Sequence, residues 1–188
     1  MRCYTKSFLV LGVLVASVPL WSQEAYHFND PGVFARLSYD SSSGVQDNSP
    51  RHICVAVSRD GQYRMLRLRK LGEMQSLEGK IPAEQFQQLK DLLETRDFRS
   101  LAGHHGGVMR QTWQTFGAEI IRGNTTHRLQ WLNADGENPF PIAVSKVADW
   151  LTRFEPKGTP FTYAEYPDVC PSGGLQLLQP SVAGNLHP

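Results

Sequence analysis

Few residues in this chain have types and spacings that could do chemistry. Cys54 and Cys170 are two of its three cysteines, and in an oxidising compartment two thiols in one small domain pair as a disulfide. The third, Cys3, lies in an N-terminal leader. His104 and His105 are adjacent, in a glycine-rich stretch with Gly103, Gly106 and Gly107. Imidazole is the commonest zinc ligand, yet neighbouring histidines lack the one-turn spacing of a metal helix, and neither H-E-x-x-H nor C-x-x-C occurs. The expectation is therefore no metal and no cofactor. Glu78, Glu119, Asp135 and Glu137 could supply a carboxylate pair for hydrolysis if the fold gathered them. Ser172, between Pro171 and Gly173, lacks the strand-turn-helix context of a nucleophile elbow.

Arg64, Arg67, Arg69 and Lys70 concentrate positive charge on one segment, with Arg67 and Arg69 on the same side of an extended strand. Together with His104 and His105, Arg67 and Arg69 are the candidate binding surface. Overall charge limits the partner. The chain carries 19 basic and 18 acidic residues, and loss of Arg2, Lys6 and Glu24 with a cleaved leader brings its net charge of +1 to neutrality. A neutral domain offers no general basic face for phosphates, so the expected partner is a protein rather than nucleic acid.

The apolar run Phe8–Trp21 behind Arg2 and Lys6 reads as a secretion signal over residues 1–25, with cleavage placed at Ala25. The run is too short for a stable membrane span, which takes roughly 20 apolar residues, so no lasting membrane insertion is expected. The product is expected to be exported, either secreted or periplasmic. Residues 26–51 contain Pro31, Gly32, three consecutive serines, Gly44 and Pro50, a composition that predicts a flexible lead-in.

Order is expected over residues 52–154. Ile53, Val55 and Val57 alternate with Cys54, Ala56 and Ser58, and Asp60-Gly61 supplies a tight turn into Tyr63–Arg69, predicting a β-hairpin. A short strand is predicted within Leu71–Ile81. Pro82 and the spacing of Phe86, Leu89, Leu92 and Leu93 predict an amphipathic helix over 82–95. The glycine-rich stretch 101–109 reads as a mobile loop. Thr112–Ile121 and Thr126–Leu132 predict a second hairpin, with Trp113 and Trp131 paired across it. Pro141 followed by Val144, Val147, Ala148 and Leu151 predicts a second helix ending near Phe154. The fold class is thus α+β, an antiparallel sheet of two hairpins with two helices on one face. Residues 155–188, rich in proline and glycine, read as an extended tail that could cover a sheet edge if Cys170 pairs with Cys54.

The turn Asp60–Tyr63, the helix Pro82–Leu93 leading to Asp97 and Phe98, and the helical stretch Pro141–Leu151 resemble the emfourins, small inhibitors of thermolysin-like metalloproteases. The resemblance covers roughly residues 53–154 and implies a non-enzymatic interaction module, with a protease as the partner class. It carries no inhibitory residue onto this chain, and the lead-in and tail depart from it. A small exported hydrolase and an envelope structural protein are the other two readings.

Overall fold

The computed structural model describes residues 32–42, 52–68, 74–108, 110–162 and 169–171. The expected leader 1–25, Arg69, Lys70 and Ser172 lie outside the described residues. Among the described residues, eight strands form one sheet: β1 (Val33–Ser41), β2 (His52–Ser58), β3 (Gln62–Leu68), β4 (Met74–Lys80), β5 (Gly103–His105), β6 (Trp113–Arg122), β7 (Thr125–Ala134) and β8 (Gly158–Pro160). Their order across the sheet is β5-β7-β6-β1-β2-β3-β4-β8, and every pair is antiparallel except β5 with β7.

Both expected hairpins form, β2 with β3 and β6 with β7. The strand that joins them does not follow from composition. Within the expected lead-in, β1 sits at the centre of the sheet between β2 and β6. Its alternation is clear once isolated: Ala35, Leu37 and Tyr39 enter one face while Arg36, Ser38 and Asp40 enter the other. Proline, glycine and serine on both sides dilute that signal in any composition window.

One face of the sheet carries the main core. Ala35, Leu37, Val55, Val57, Tyr63, Met65, Phe116, Ala118, Ile120 and Leu129 meet the helices α1 (Ala83–Glu94) and α3 (Ile142–Arg153) there. Pro82 and Pro141 precede the two helices with extended backbone, where a missing N–H costs nothing because the first helical donors have no partner in any case. Leu89 and Leu93 of α1, and Val144, Val147, Ala148, Trp150 and Leu151 of α3, are the buried helical residues. A third, single-turn helix, α2 (Arg96–Arg99), is capped by Thr95, whose Oγ1 accepts from the Phe98 N–H at 3.3 Å and helps seat that ring in the core. Among the described residues, no helix is long and apolar enough to cross a membrane.

The expected loop at 101–109 is in part a strand, β5, parallel to β7 with His104 opposite Gln130 and His105 opposite Trp131. Its glycines permit this course rather than preventing order. Gly106 has φ of 116°, and a Cβ there would stand 2.5 Å from the Leu132 carbonyl oxygen, so only glycine lets the chain pass so close to β7. The expected Trp113–Trp131 pair does not form: Trp113 is opposite Ala134, and Trp131 is opposite Phe116. An offset of three positions puts the two indoles on opposite faces of the sheet.

Part of the expected tail is also built in. β8 lies against the outer edge of β4, and Ser76 Oγ donates to the Phe161 carbonyl just beyond it. Val169 and Cys170 join Val33, Cys54, Ala56 and Leu66 in a small second core on the sheet face away from the helices, with Phe161 packed against it. Among the described residues, both sheet edges therefore end in three-residue strands.

Candidate functional site

The expected disulfide is present, Cys54 to Cys170, across a sequence separation of 116. It lies on the face opposite the helices, where period two along β2 also places His52. His52 is the register partner of Asp40 on β1, and its Nδ1 hydrogen-bonds Asp40 Oδ1. Thr115 Oγ1, the next strand over, donates to Asp40 Oδ2 at 3.4 Å. The other imidazole nitrogen, Nε2, faces sulfur: Cys54 Sγ at 3.3 Å and Cys170 Sγ at 4.0 Å. Asp40, His52, Cys54 and Cys170 are all buried. Among the described residues, His52, Cys54 and Cys170 are the group whose ligand atoms, all within 4.8 Å of one another, could hold a metal ion.

Neither Asp40 nor His52 stands out in the sequence. The one available signal is His-x-Cys in an alternating strand, which puts imidazole and thiol on the same side. Asp40, far away in a serine-rich stretch, gives none.

A second polar region lies at the β5 edge. His104 Nδ1 meets Gln130 Oε1 at 3.3 Å on the disulfide-bearing face, beside a pocket of about 210 Å³ lined also by Glu119, Arg128 and Pro171. His105 points to the other face, where its ring stacks on Trp131 at 4.3 Å and its Nε2 bonds the Ala102 carbonyl at 2.9 Å. The adjacent histidines are thus divided between faces by strand geometry, which rules them out as a joint ligand pair.

Arg67 belongs to neither region. It sits near the far side of the sheet, five strand spacings or about 24 Å from β5. It is buried rather than presented, with Nη2 at 3.4 Å from Gln75 Oε1 and 3.8 Å from Glu155. Its long apolar stem suits that burial while Nη2 reaches polar partners. Arg67 therefore does not join His104 and His105 in one surface, and Arg69 lies outside the described residues.

The four carboxylates do not converge. Glu78 and Glu119 stand four strands apart, about 19 Å, and each has its own cations: Arg64 at 3.0 Å for Glu78, Arg36 at 3.5 Å and Arg128 at 3.4 Å for Glu119. Asp135 accepts from the Thr112 N–H at 3.0 Å and from its hydroxyl, bonds that hold its carboxyl below the usual range. Glu137 pairs with Arg110 at 2.9 Å. Glu78 and Glu119 are thus too far apart for glycoside hydrolysis, which needs two carboxyls roughly 5–10 Å apart. No protein-family model matches the chain, and no curated protein is similar to it.

Proposed function

We propose that this protein is an exported, non-enzymatic interaction domain that takes an extended segment of a partner protein along the β5 edge. The observation that carries this reading is the exposed three-residue strand Gly103–His105 beside the pocket that His104 lines. Among the described residues nothing pairs with the outer side of β5, so its backbone can template a further strand. In strand addition, main-chain hydrogen bonds supply affinity and pockets for alternate side chains supply specificity. The pocket has both kinds of polar character, with the Glu119 carboxylate at its base and Arg128, Gln130 and His104 at its rim.

The division of carboxylates among separate ion pairs supports a binding rather than a hydrolytic role. The disulfide supports export, since such bonds persist in oxidising compartments. The emfourin resemblance names one partner class, a thermolysin-like metalloprotease.

A photo-crosslinking residue at position 104 of the full chain, expressed in a host that exports it, tests this reading. Position 104 is expected to trap a defined protein, whereas position 87, exposed on α1, is not. Trapping at neither position, or equally at both, overturns the edge. Inhibition of a thermolysin-like protease by the purified protein identifies that partner class, and full protease activity at micromolar protein excludes it.

A further inference from the structure

The buried group of Asp40, His52, Cys54 and Cys170 takes no part in the edge, and its geometry points elsewhere. A carboxylate can only accept, so Nδ1 of His52 donates to Asp40, and in a neutral ring the lone pair is then on Nε2. That lone pair is aimed at two sulfurs, 3.3 and 4.0 Å away. Disulfide sulfur has no proton to offer in return. Lone pairs face lone pairs in a site where His52 is 2% and Cys54 0% exposed, an arrangement that a cation completes.

We propose that in the dithiol state this chain binds Zn²⁺ through His52 Nε2, Cys54 Sγ and Cys170 Sγ, with water as the fourth ligand. Tetrahedral zinc, with Zn–S of about 2.3 Å and Zn–N of about 2.05 Å, sets nitrogen and sulfur about 3.6 Å apart. The two observed separations, 3.3 and 4.0 Å, lie on either side of that value. Asp40 occupies the place that a carboxylate takes behind a metal-bound histidine, fixing the tautomer and the ring plane. Two thiolates and one imidazole select zinc over magnesium or calcium, and they cancel its charge in a buried setting. His52 and Cys54 are held rigidly on central strand β2, while Cys170 belongs to no strand, so one sulfur can shift without breaking a ladder.

The exchange balances simply. A dithiol reductant gives two electrons and two protons to the Cys54–Cys170 bond and itself becomes a disulfide. Zn²⁺ then displaces the two thiol protons into solvent. The same cysteines thus serve as a covalent staple when oxidised and as a metal clamp when reduced.

The test uses the chain with Cys3→Ser, reduced anaerobically by a water-soluble phosphine, which takes up a water oxygen as it delivers the electron pair and binds zinc weakly. Titration with Co²⁺ is expected to give one equivalent with a thiolate-to-cobalt charge-transfer band, which Zn²⁺ abolishes and which oxidised protein lacks. Cys170→Ser and His52→Gln are each expected to weaken binding at least tenfold, and Asp40→Asn between about 10- and 100-fold. Absence of the band in reduced protein that keeps its far-ultraviolet circular dichroism overturns the site. So does undiminished binding by His52→Gln, or a reduced chain that unfolds and is not refolded by Zn²⁺.

Discussion

Asp40 and His52 are directly opposed on β1 and β2, and their side chains close a buried hydrogen bond beneath the Cys54–Cys170 bridge. The bond joins two strands that the sequence separates by a stretch rich in serine. It therefore ties the placement of β1 to the disulfide-bearing strand.

Removing one member of this pair leaves the other buried without its counterpart. Asp40→Ala is expected to destabilise the fold by about 1–3 kcal/mol, the cost of leaving the buried His52 N–H without its acceptor. Urea denaturation of oxidised protein measures it, and a loss below about 1 kcal/mol would show that water reaches His52 in place of the carboxylate.

The disulfide closes a loop of 116 residues. Its reduction in metal-free buffer is expected to cost about 2–5 kcal/mol, the range for a native bridge, through the added freedom of the unfolded chain. Denaturation midpoints of oxidised and reduced protein, with chelator present, give the difference.

Burial pushes the Tyr63 hydroxyl up to about 12 from its ordinary 10.0, with the positive charge of Arg67 acting in the opposite direction. The native state thus holds the neutral phenol more firmly than the unfolded chain does. Stability from this group is complete below pH 10 and is lost as pH rises towards 12, at up to about 1.4 kcal/mol per pH unit. Tyr63→Phe should remove that decline. Because the hydroxyl finds no hydrogen-bond partner among the described residues, the variant should be at least as stable at pH 7. Urea titrations at pH 7, 10 and 11.5 check both statements.

Gly79 and Gly158 are opposed on β4 and β8 above that tyrosine. A Cβ on Gly158 would stand 2.0 Å from the Glu78 carbonyl oxygen and 2.8 Å from the Tyr63 hydroxyl. Gly158→Ala is therefore expected to detach β8 and expose the β4 edge. Faster hydrogen exchange at residues 77–79, with the β6–β7 ladder unchanged, is the expected readout. Unaltered exchange there would mean that β8 tolerates the methyl group by shifting outward.

Much of the scaffold was legible from local pattern. The alternation of Ile53, Val55 and Val57, the Asp60-Gly61 turn and the helical spacing of Leu89, Leu93, Val147 and Leu151 each depend on neighbours within a few residues, and each element forms where expected. The β5 strand was hidden for a different reason. Its glycines suggest freedom, and only the proximity of Leu132 reveals that they permit contact.

What the sequence alone determined is this set of local elements, together with the availability of Cys54 and Cys170 for pairing. Periodicity and turn chemistry are properties of short windows, so they survive without knowledge of the fold. Tertiary structure decided which strand lies at the centre, that His104 and His105 face apart, and that Asp40 reaches His52 beside two sulfurs. The Asp40 and Cys170 contacts to His52 join residues 12 and 118 positions apart, and registry between strands, unlike alternation within one, is fixed only when the whole sheet packs on its helices.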